Sequence, residues 1–269
     1  MKYLTTQIHL FYTGLQFLTR IPIPKWVAYK PEYLQRITPY FPVVGSLVGL
    51  IIGLCYMAFA YLFTTSIAVI LSMVLGILLT GAFHEDGLAD SCDAFGGGYN
   101  KDKILEIMKD SRLGTYGTTA LIVALLLKLL CLISLATCSY YSYTVLPNTL
   151  HPILLLCVAS NTLSRYMPLL TIQRYSYVYQ ANSSKSKPMA SQKLTPLQLL
   201  ISALYCCAIF TLLPLIYALA VLPMCLATLA LSRYFYGKIN GYTGDCLGMV
   251  QQVSEIIFYL TILALQKIV

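Results

Sequence analysis

Long apolar stretches separated by short polar segments run from about residue 40 to the C-terminus. A helix needs about 20 apolar residues to cross the hydrocarbon core of a bilayer. Seven stretches approach this length, so the pattern predicts an all-α, polytopic bundle of about six to seven transmembrane helices. The predicted spans are about 41–63, 66–84, 115–137, 150–171, 197–218, 220–236 and 247–266, of which the sixth is short enough to be a partial span.

The N-terminal segment follows a different pattern. Ile8, Phe11, Leu15 and Leu18 recur at helical spacing, while polar residues such as Gln16 interrupt the apolar ones. An amphipathic helix of this kind lies in the membrane interface, whereas a signal peptide needs an uninterrupted apolar core. We therefore predict an interfacial helix ahead of the first span.

Composition agrees with a membrane setting. Of the 269 residues, 58% are hydrophobic and only 10% are charged, whereas soluble domains carry about 25% charged residues. The lipid bilayer is therefore the expected solvent. Nine cysteines lack the spacing of a zinc site or a disulfide framework. No internal repeat divides the chain, so residues 1–269 are expected to form a single membrane-embedded domain.

Basic residues are expected on one side of the membrane. Tracing the predicted spans places four segments with lysine or arginine on the same side: the N-terminal segment, 85–114, 172–196 and the turn at Arg233 and Lys238. No charged residue occurs in the three segments opposite them, 64–66, 138–149 and 218–222. Positively charged loops stay in the cytoplasm, so this side is predicted to be cytoplasmic. The net charge of +8 then reflects orientation, and no nucleic-acid partner is expected.

Seven of the ten acidic residues lie within one segment, 85–110. Asp86, Asp90 and Asp93 have the spacing i, i+4, i+7, which puts them on one face of a helix, and Glu85 lies at the edge of that face. Each charge would cost about 2.5–3.5 kcal/mol at the bilayer centre. The carboxylates are therefore expected at the cytoplasmic end of a span or in a wet pocket, with a counter-charge.

Magnesium is the counter-charge that this stripe favours. Carboxylate oxygens suit Mg²⁺, which usually shares its coordination shell with water and substrate phosphates. The predicted metal ligands are Asp86, Asp90 and Asp93. The alternative is a solvated acidic helix end that pairs with the nearby lysines.

Two polar segments containing glycine offer further candidates. Residues 109–117 combine cationic side chains, hydroxyls and glycines, and this combination lets backbone N–H groups approach an anion. Residues 237–248 lead into the last span and contain Asp245. Asp245 either complements the dipole of the helix that follows or serves the site, by completing a metal shell or accepting a proton from a hydroxyl.

Two cations lie inside apolar spans. Arg165 is costly there unless it faces a pocket or a partner, and from the cytoplasmic half of its span it could reach a phosphate. Lys128 lies nearer the middle of its span, where it could extend toward the interface or face an inner acid. The sequence assigns Lys128 no role.

Together these residues resemble the cobalamin synthase family, the adenosylcobinamide-GDP ribazoletransferases. The similarity covers most of the chain in the expected order. The segments that carry it are 17–24 (FLTRIPIP), 40–45 (YFPVVG), the acidic and glycine stretch 84–98, the stretch 106–117, and 241–248 (GYTGDCLG).

The resemblance implies an integral enzyme of the bacterial inner membrane that needs Mg²⁺ and has its active site facing the cytoplasm. Its substrates would be adenosylcobinamide-GDP and α-ribazole or α-ribazole 5′-phosphate, and it would release GMP. The candidate catalytic residues are Asp90, Asp245 and Glu85. The candidate substrate-binding residues are Arg20, Lys109, Arg112, Thr115, Arg165, Asn240 and Thr243. A homo-oligomer is compatible with the sequence.

Other membrane proteins also use aspartates at the bilayer surface. The CDP-alcohol phosphotransferases carry an Ala-Arg pair after Asp-Gly, whereas Leu88 and Ala89 follow Asp86-Gly87 here. Prenyltransferases usually carry two separate aspartate-rich motifs, and this chain has one full motif. A cation- or proton-coupled transporter predicts acids spread over several spans at mid-depth. The collected acids favour a transferase, with these classes as alternatives.

Overall fold

The computed structural model describes residues 2–28, 30–137, 152–178 and 192–268. Helices make up most of this part of the chain. Their bounds are α1 Lys2–Leu18, α2 Phe41–Leu62, α3 Thr65–Thr80, α4 Phe83–Gly97, α5 Lys101–Ile107, α6 Thr115–Thr137, α7 Pro152–Arg174, α8 Pro196–Phe210, α9 Val221–Ile239 and α10 Gly244–Gln266. Short 3₁₀ turns precede α2 and α9.

The described helices confirm an all-α polytopic membrane bundle. Five helical stretches are long and apolar enough to cross a membrane, and a sixth crossing results if the bent pair α3 and α4 counts as one. The five are Thr38–Leu62, Thr115–Thr137, Pro152–Arg174, Leu215–Ile239 and Gly244–Gln266. Helix α1 precedes the first of them and packs against α2 and the turns before it.

The predicted spans near the C-terminal half need one correction. The stretch 197–218 is not one helix, because α8 ends at Phe210 and a separate 3₁₀ turn, Leu215–Ala220, leads into α9. Pro214 lies between them and cannot donate a backbone hydrogen bond to continue a helix. Helix α8 is therefore only about 22 Å long.

The predicted span 66–84 also ends early. Gly81 and Ala82 both adopt left-handed backbone conformations, with φ of 69° and 59°, and α4 leaves α3 at an angle of 84°. The Arg20 side chain fills the space beside Gly81, since a Cβ there would lie 2.2 Å from Arg20 Nε. The Arg20 backbone N–H also donates to the Leu79 carbonyl at 2.7 Å. The segment after α1 therefore stabilises the break between α3 and α4. Helix α4, the acidic helix that carries Asp86, Asp90 and Asp93, starts beside this break.

Helix α7 forms the centre of the bundle and is buried along most of its length. Three glycines of α2, Gly45, Gly49 and Gly53, line the crossing with α7. A Cβ on Gly45 would lie 2.2 Å from the Asn161 carbonyl oxygen, and one on Gly49 would lie 2.2 Å from that of Cys157. Small residues at a spacing of four allow this close approach of two backbones in a membrane.

Hydrogen bonds identify which helix ends lie together. The Val178 N–H donates to the Tyr242 carbonyl at 2.9 Å, so the end of α7 lies beside the turn that starts α10. At the far end of α10, Gln266 Nε2 donates to the Tyr217 hydroxyl at 3.1 Å, beside the turn that starts α9. Helix α4 packs on the first turns of α10. The acidic helix therefore lies at the end of the bundle where α7 ends and α10 begins.

Candidate active site

A close helix crossing brings the carboxylates together. Gly87 of α4 lies against the start of α10, where a Cβ would be 3.0 Å from the Asp245 carbonyl oxygen and 3.1 Å from Gly248 Cα. Asp86 directly precedes this crossing point and Asp90 follows it by three residues. The negative charges of Asp86, Asp245 and Asp93 all act on Asp90. The two glycines thus explain how acids far apart in sequence share one site.

Asp93 has a different environment from the other acids. Its Oδ2 accepts the backbone N–H of Gly114 and its Oδ1 accepts that of Gly117, both at 2.8 Å. A Cβ on either glycine would lie less than 2.5 Å from an Asp93 oxygen. A carboxylate that accepts backbone N–H groups at a helix N-terminus is stabilised by both charge and dipole. Asp93 therefore anchors the start of α6 on α4.

Glu85 points into the bundle and begins a chain of polar side chains. Its Oε1 accepts a hydrogen bond from Gln252 Nε2 at 3.1 Å, while its Oε2 is buried without a hydrogen-bond partner in the described part of the chain. Gln252 Nε2 also donates to Gln251 Oε1 at 3.0 Å, and Gln251 Nε2 donates to Glu255 Oε2 at 3.1 Å. This series of hydrogen-bonded side chains links the carboxylates of α4 with the interior of the bundle.

The inner end of this chain is a buried ion pair. Lys128 Nζ lies 2.7 Å from Glu255 Oε1, and the Glu255 side chain is 2% exposed. The position of Lys128 within its span was compatible with an inner acid as partner, but the sequence did not identify Glu255. The available signal was the run Gln251, Gln252 and Glu255 within an otherwise apolar span.

Arg165 faces a pocket, as its position in an apolar span indicated. The residue is 3% exposed. Its Nη1 donates to the Asn161 side-chain oxygen at 2.7 Å and to the Asn161 carbonyl at 3.2 Å. Arg165 Nε is buried without a hydrogen-bond partner among the described residues. The guanidinium is therefore held on one side and retains a buried donor.

A cavity of about 250 Å³ lies between Arg165 and the carboxylates. Asp86 and Asp245 line it together with aromatic side chains from α1, α2 and α4. His84, Arg165 and Gln251 also line a smaller internal cavity of about 30 Å³, so they form the inner boundary of the larger one. The site thus has a cationic inner end and carboxylates on two helices.

The remaining candidates do not line this cavity. Thr243 is buried, and its hydroxyl accepts the Cys246 backbone N–H at 3.4 Å as the N-cap of α10. Asn240 is exposed and ends α9 in a left-handed conformation. Arg20 is exposed and packs on Gly81. Lys109 and Thr115 are both exposed. Lys109 lies in the segment that joins α5 to α6, and Thr115 is the first residue of α6.

Arg112 is engaged with its own loop. Its Nε donates to both Asp110 oxygens, at 2.9 and 3.0 Å. These hydrogen bonds lower the pKa of Asp110 to about 2. The other ion pair of the acidic segment is Lys103 with Glu106. Among the described residues, neither these pairs nor any other ion pair involves the α4 aspartates.

The donor set fits a magnesium ion that shares its shell with a substrate. No group of three or more His, Cys, Asp and Glu side chains in the described ranges is arranged to hold a metal ion by itself. Mg²⁺ is usually bound by one or two carboxylates together with water and phosphate oxygens. Asp86 is exposed and Asp90 is partly exposed, so both carboxylates are accessible to such an ion.

These features define a class: an integral membrane protein with clustered carboxylates and a buried arginine at one end of an α-helical bundle. A family model described as cobalamin-5-phosphate synthase matches residues 10–263. The chain belongs to this family. No solved structure matches it.

Curated relatives match over nearly the full chain. A protein of Shewanella frigidimarina (strain NCIMB 400), named adenosylcobinamide-GDP ribazoletransferase, is 43% identical over 262 residues, which cover 96% of this chain and 95% of the relative. A relative of the same name from Vibrio cholerae serotype O1 (strain ATCC 39541) is 42% identical over 263 residues, with coverage of 96% and 94%.

Proposed function

We propose that this protein is an adenosylcobinamide-GDP ribazoletransferase. It joins adenosylcobinamide-GDP to α-ribazole or α-ribazole 5′-phosphate and releases GMP. The observation that carries this proposal is the convergence of Asp86, Asp90 and Asp245 beside a cavity that ends at Arg165. Similarity to transferases of this name along almost the whole chain supports it.

The proposed reaction exchanges one phosphorus–oxygen bond for another. A ribose hydroxyl of α-ribazole attacks the phosphorus that bears the cobinamide group. The bond from this phosphorus to GMP breaks, and GMP leaves with the electron pair. We assign the proton of the hydroxyl to Asp90 or Asp245, because both belong to the carboxylate cluster. Glu85, with a buried oxygen that lacks a described partner, is the third candidate.

Magnesium is part of the proposal. The proposed ligands are Asp86, Asp90 and Asp93. Asp93 already accepts two backbone N–H groups, so Asp86 and Asp90 are the better placed of the three for direct coordination. When bound, the ion would neutralise the diphosphate and the departing phosphate.

Cationic side chains would orient the same diphosphate. Arg165 retains a buried donor at the inner end of the cavity and is proposed to bind a phosphate oxygen. Arg20, Lys109 and Arg112 are exposed cations on the same side of the predicted topology. We propose that they attract the polyanionic substrate. Asn240 and Thr243, in the turn between α9 and α10, and Thr115, at the start of α6, would offer hydrogen bonds.

We further propose that the site faces the cytoplasm from the inner membrane. The basic segments and the acidic helix share one side of the predicted topology, and positive segments favour the cytoplasm. The substrates are large polyanions or polar molecules, so a cytoplasmic site lets them arrive without crossing the bilayer.

The test is release of GMP by the purified protein in detergent or liposomes. Adenosylcobinamide-GDP and α-ribazole are supplied together and singly, with Mg²⁺ and with a chelator. GMP that appears only with both substrates and Mg²⁺ is the expected result. A folded protein that releases no GMP under any of these conditions contradicts the proposed function, and release in chelator contradicts the magnesium requirement alone.

A further inference from the structure

The cavity beside the carboxylates has an aromatic wall that the proposed chemistry does not use. Phe17, Phe41 and Phe83 come from three different helices and all line it. The Phe17 and Phe41 rings stack with centroids 6.1 Å apart, and Phe83 meets Phe17 edge to face at 5.1 Å. Such rings offer a π-face and apolar area to a flat ligand.

The lining also includes polar and charged side chains. Arg165 and His84 belong to the inner boundary, whereas Asp86 and Asp245 are carboxylates that the two-helix crossing brings there. Arg165 Nε is a buried donor without a partner in the described part of the molecule. A cavity with aromatic walls and a few convergent polar groups is typical of a small-molecule site.

The size of the cavity indicates which of the two proposed substrates it can hold. At about 250 Å³, the cavity lies just below the usual size range of ligand sites, so only a small ligand fits it. A two-ring base with one ribose is a ligand of this scale. The corrinoid with its nucleotide is several times larger and cannot enter, so it would have to reach Asp86 from the exposed side.

A larger groove of about 880 Å³ lies on the other side of α4. It is lined mostly by apolar side chains such as Leu88, Phe95 and Ile256, and its described lining includes no charged residue. A polar acceptor whose hydroxyl must reach a carboxylate therefore fits the smaller cavity better than this groove.

We propose that the cavity lined by Phe17, Phe41 and Phe83 is the acceptor subsite and takes the benzimidazole base of α-ribazole. This inference rests on the proposed function. The base packs against the phenylalanine rings, and the ribose lies toward the carboxylates. A ribose hydroxyl then forms the new bond to phosphorus, its proton passes to a carboxylate, and GMP leaves with the electron pair of the broken bond.

Gly244 allows a sharp test. It lines the cavity, and a Cβ built on it meets no atom within 4 Å. Gly244→Leu should therefore fill the subsite without disturbing the fold. Gly237→Leu is the matched control, because a Cβ on Gly237 also meets nothing within 4 Å and Gly237 does not line the cavity.

The measurement is steady-state GMP release with each substrate varied in turn. Gly244→Leu is expected to raise the KM for α-ribazole by about tenfold or more, the scale on which pockets discriminate small groups. The KM for adenosylcobinamide-GDP should stay within about twofold, and Gly237→Leu should change neither value. A rise confined to the KM for adenosylcobinamide-GDP, or no change in either, would overturn the acceptor assignment while wild-type turnover still supports the function.

A second pair of variants covers the case in which Gly244→Leu does not fold. Phe83→Leu removes a ring from the cavity, and Phe95→Leu removes one from the larger groove in the same helix. The acceptor assignment predicts a higher KM for α-ribazole in Phe83→Leu than in Phe95→Leu. Equal values in the two variants would contradict it.

Discussion

Asp90 and Asp93 share one face of α4 but have different surroundings. Asp93 accepts the backbone N–H groups of Gly114 and Gly117 and so anchors α6. Asp90 is partly buried, with the charges of other acids acting on it, and no described ion pair compensates it. Clustered like charges cost stability, so a site of this kind indicates function more than folding.

Asp90→Asn keeps the size of the side chain and removes its charge. We expect turnover to fall by about 100-fold or more, the scale of a lost general base. Insertion and thermal stability should be unchanged or improved, because the substitution relieves repulsion in the cluster. GMP release and thermal unfolding of the purified variant check both parts.

Asp102→Asn is the matched control for this prediction. Asp102 is exposed in the first turn of α5 and belongs to the same acidic segment. The Asp102→Asn variant should retain the turnover of the wild-type protein. Full activity in Asp90→Asn would mean that the stripe is only a solvated surface.

At the scale of elements, the acidic stripe and its helix could be predicted because i, i+4, i+7 spacing is a local signal. The break between α3 and α4 was missed, since only Gly81 hints at it and Ala82 does not favour a left-handed conformation. The contact of Gly87 with Gly248 was also missed, because helix pairing depends on packing between distant segments. The glycine spacing in α2 did offer a signal for close packing.

The ion pair of Lys128 and Glu255, which joins α6 and α10, could not be predicted either, because it also depends on packing between distant segments. Removing one partner leaves a buried charge unpaired, which costs about 3–5 kcal/mol, whereas replacing both by apolar residues of similar size is often neutral. We therefore expect Lys128→Met to lower the unfolding temperature strongly. The double variant Lys128→Met with Glu255→Met should recover most of the loss.

Thermal unfolding of the detergent-solubilised variants measures this prediction. Lys267→Met is the control, because Lys267 is exposed after the end of α10 and its loss should have little effect. A single variant as stable as wild type would show that the pair does not hold α6 on α10. If the double variant is as unstable as Lys128→Met, the loss of stability comes from altered packing and not from an unpaired charge.

For the whole molecule, the bundle has two unlike ends. Arg20, the acidic helix and the turn at Tyr242 lie at one end, and the turn at Tyr217 lies at the other. The loop 138–149, which lies outside the described residues, is predicted by the tracing of charges to be opposite the acidic end. The positive-inside rule then places this loop outside the cytoplasm.

An epitope tag inserted in 138–149 should bind antibody on intact spheroplasts, because the loop carries no charge that would keep it in the cytoplasm. A tag at the N-terminus, in a segment rich in lysine and arginine, should bind only after permeabilisation. Antibody access is compared between intact and permeabilised cells for both tagged proteins, each first checked for GMP release. Access to the N-terminal tag in intact cells would reverse the orientation and move the carboxylates to the outer face, where a cytoplasmic nucleotide substrate could not reach them.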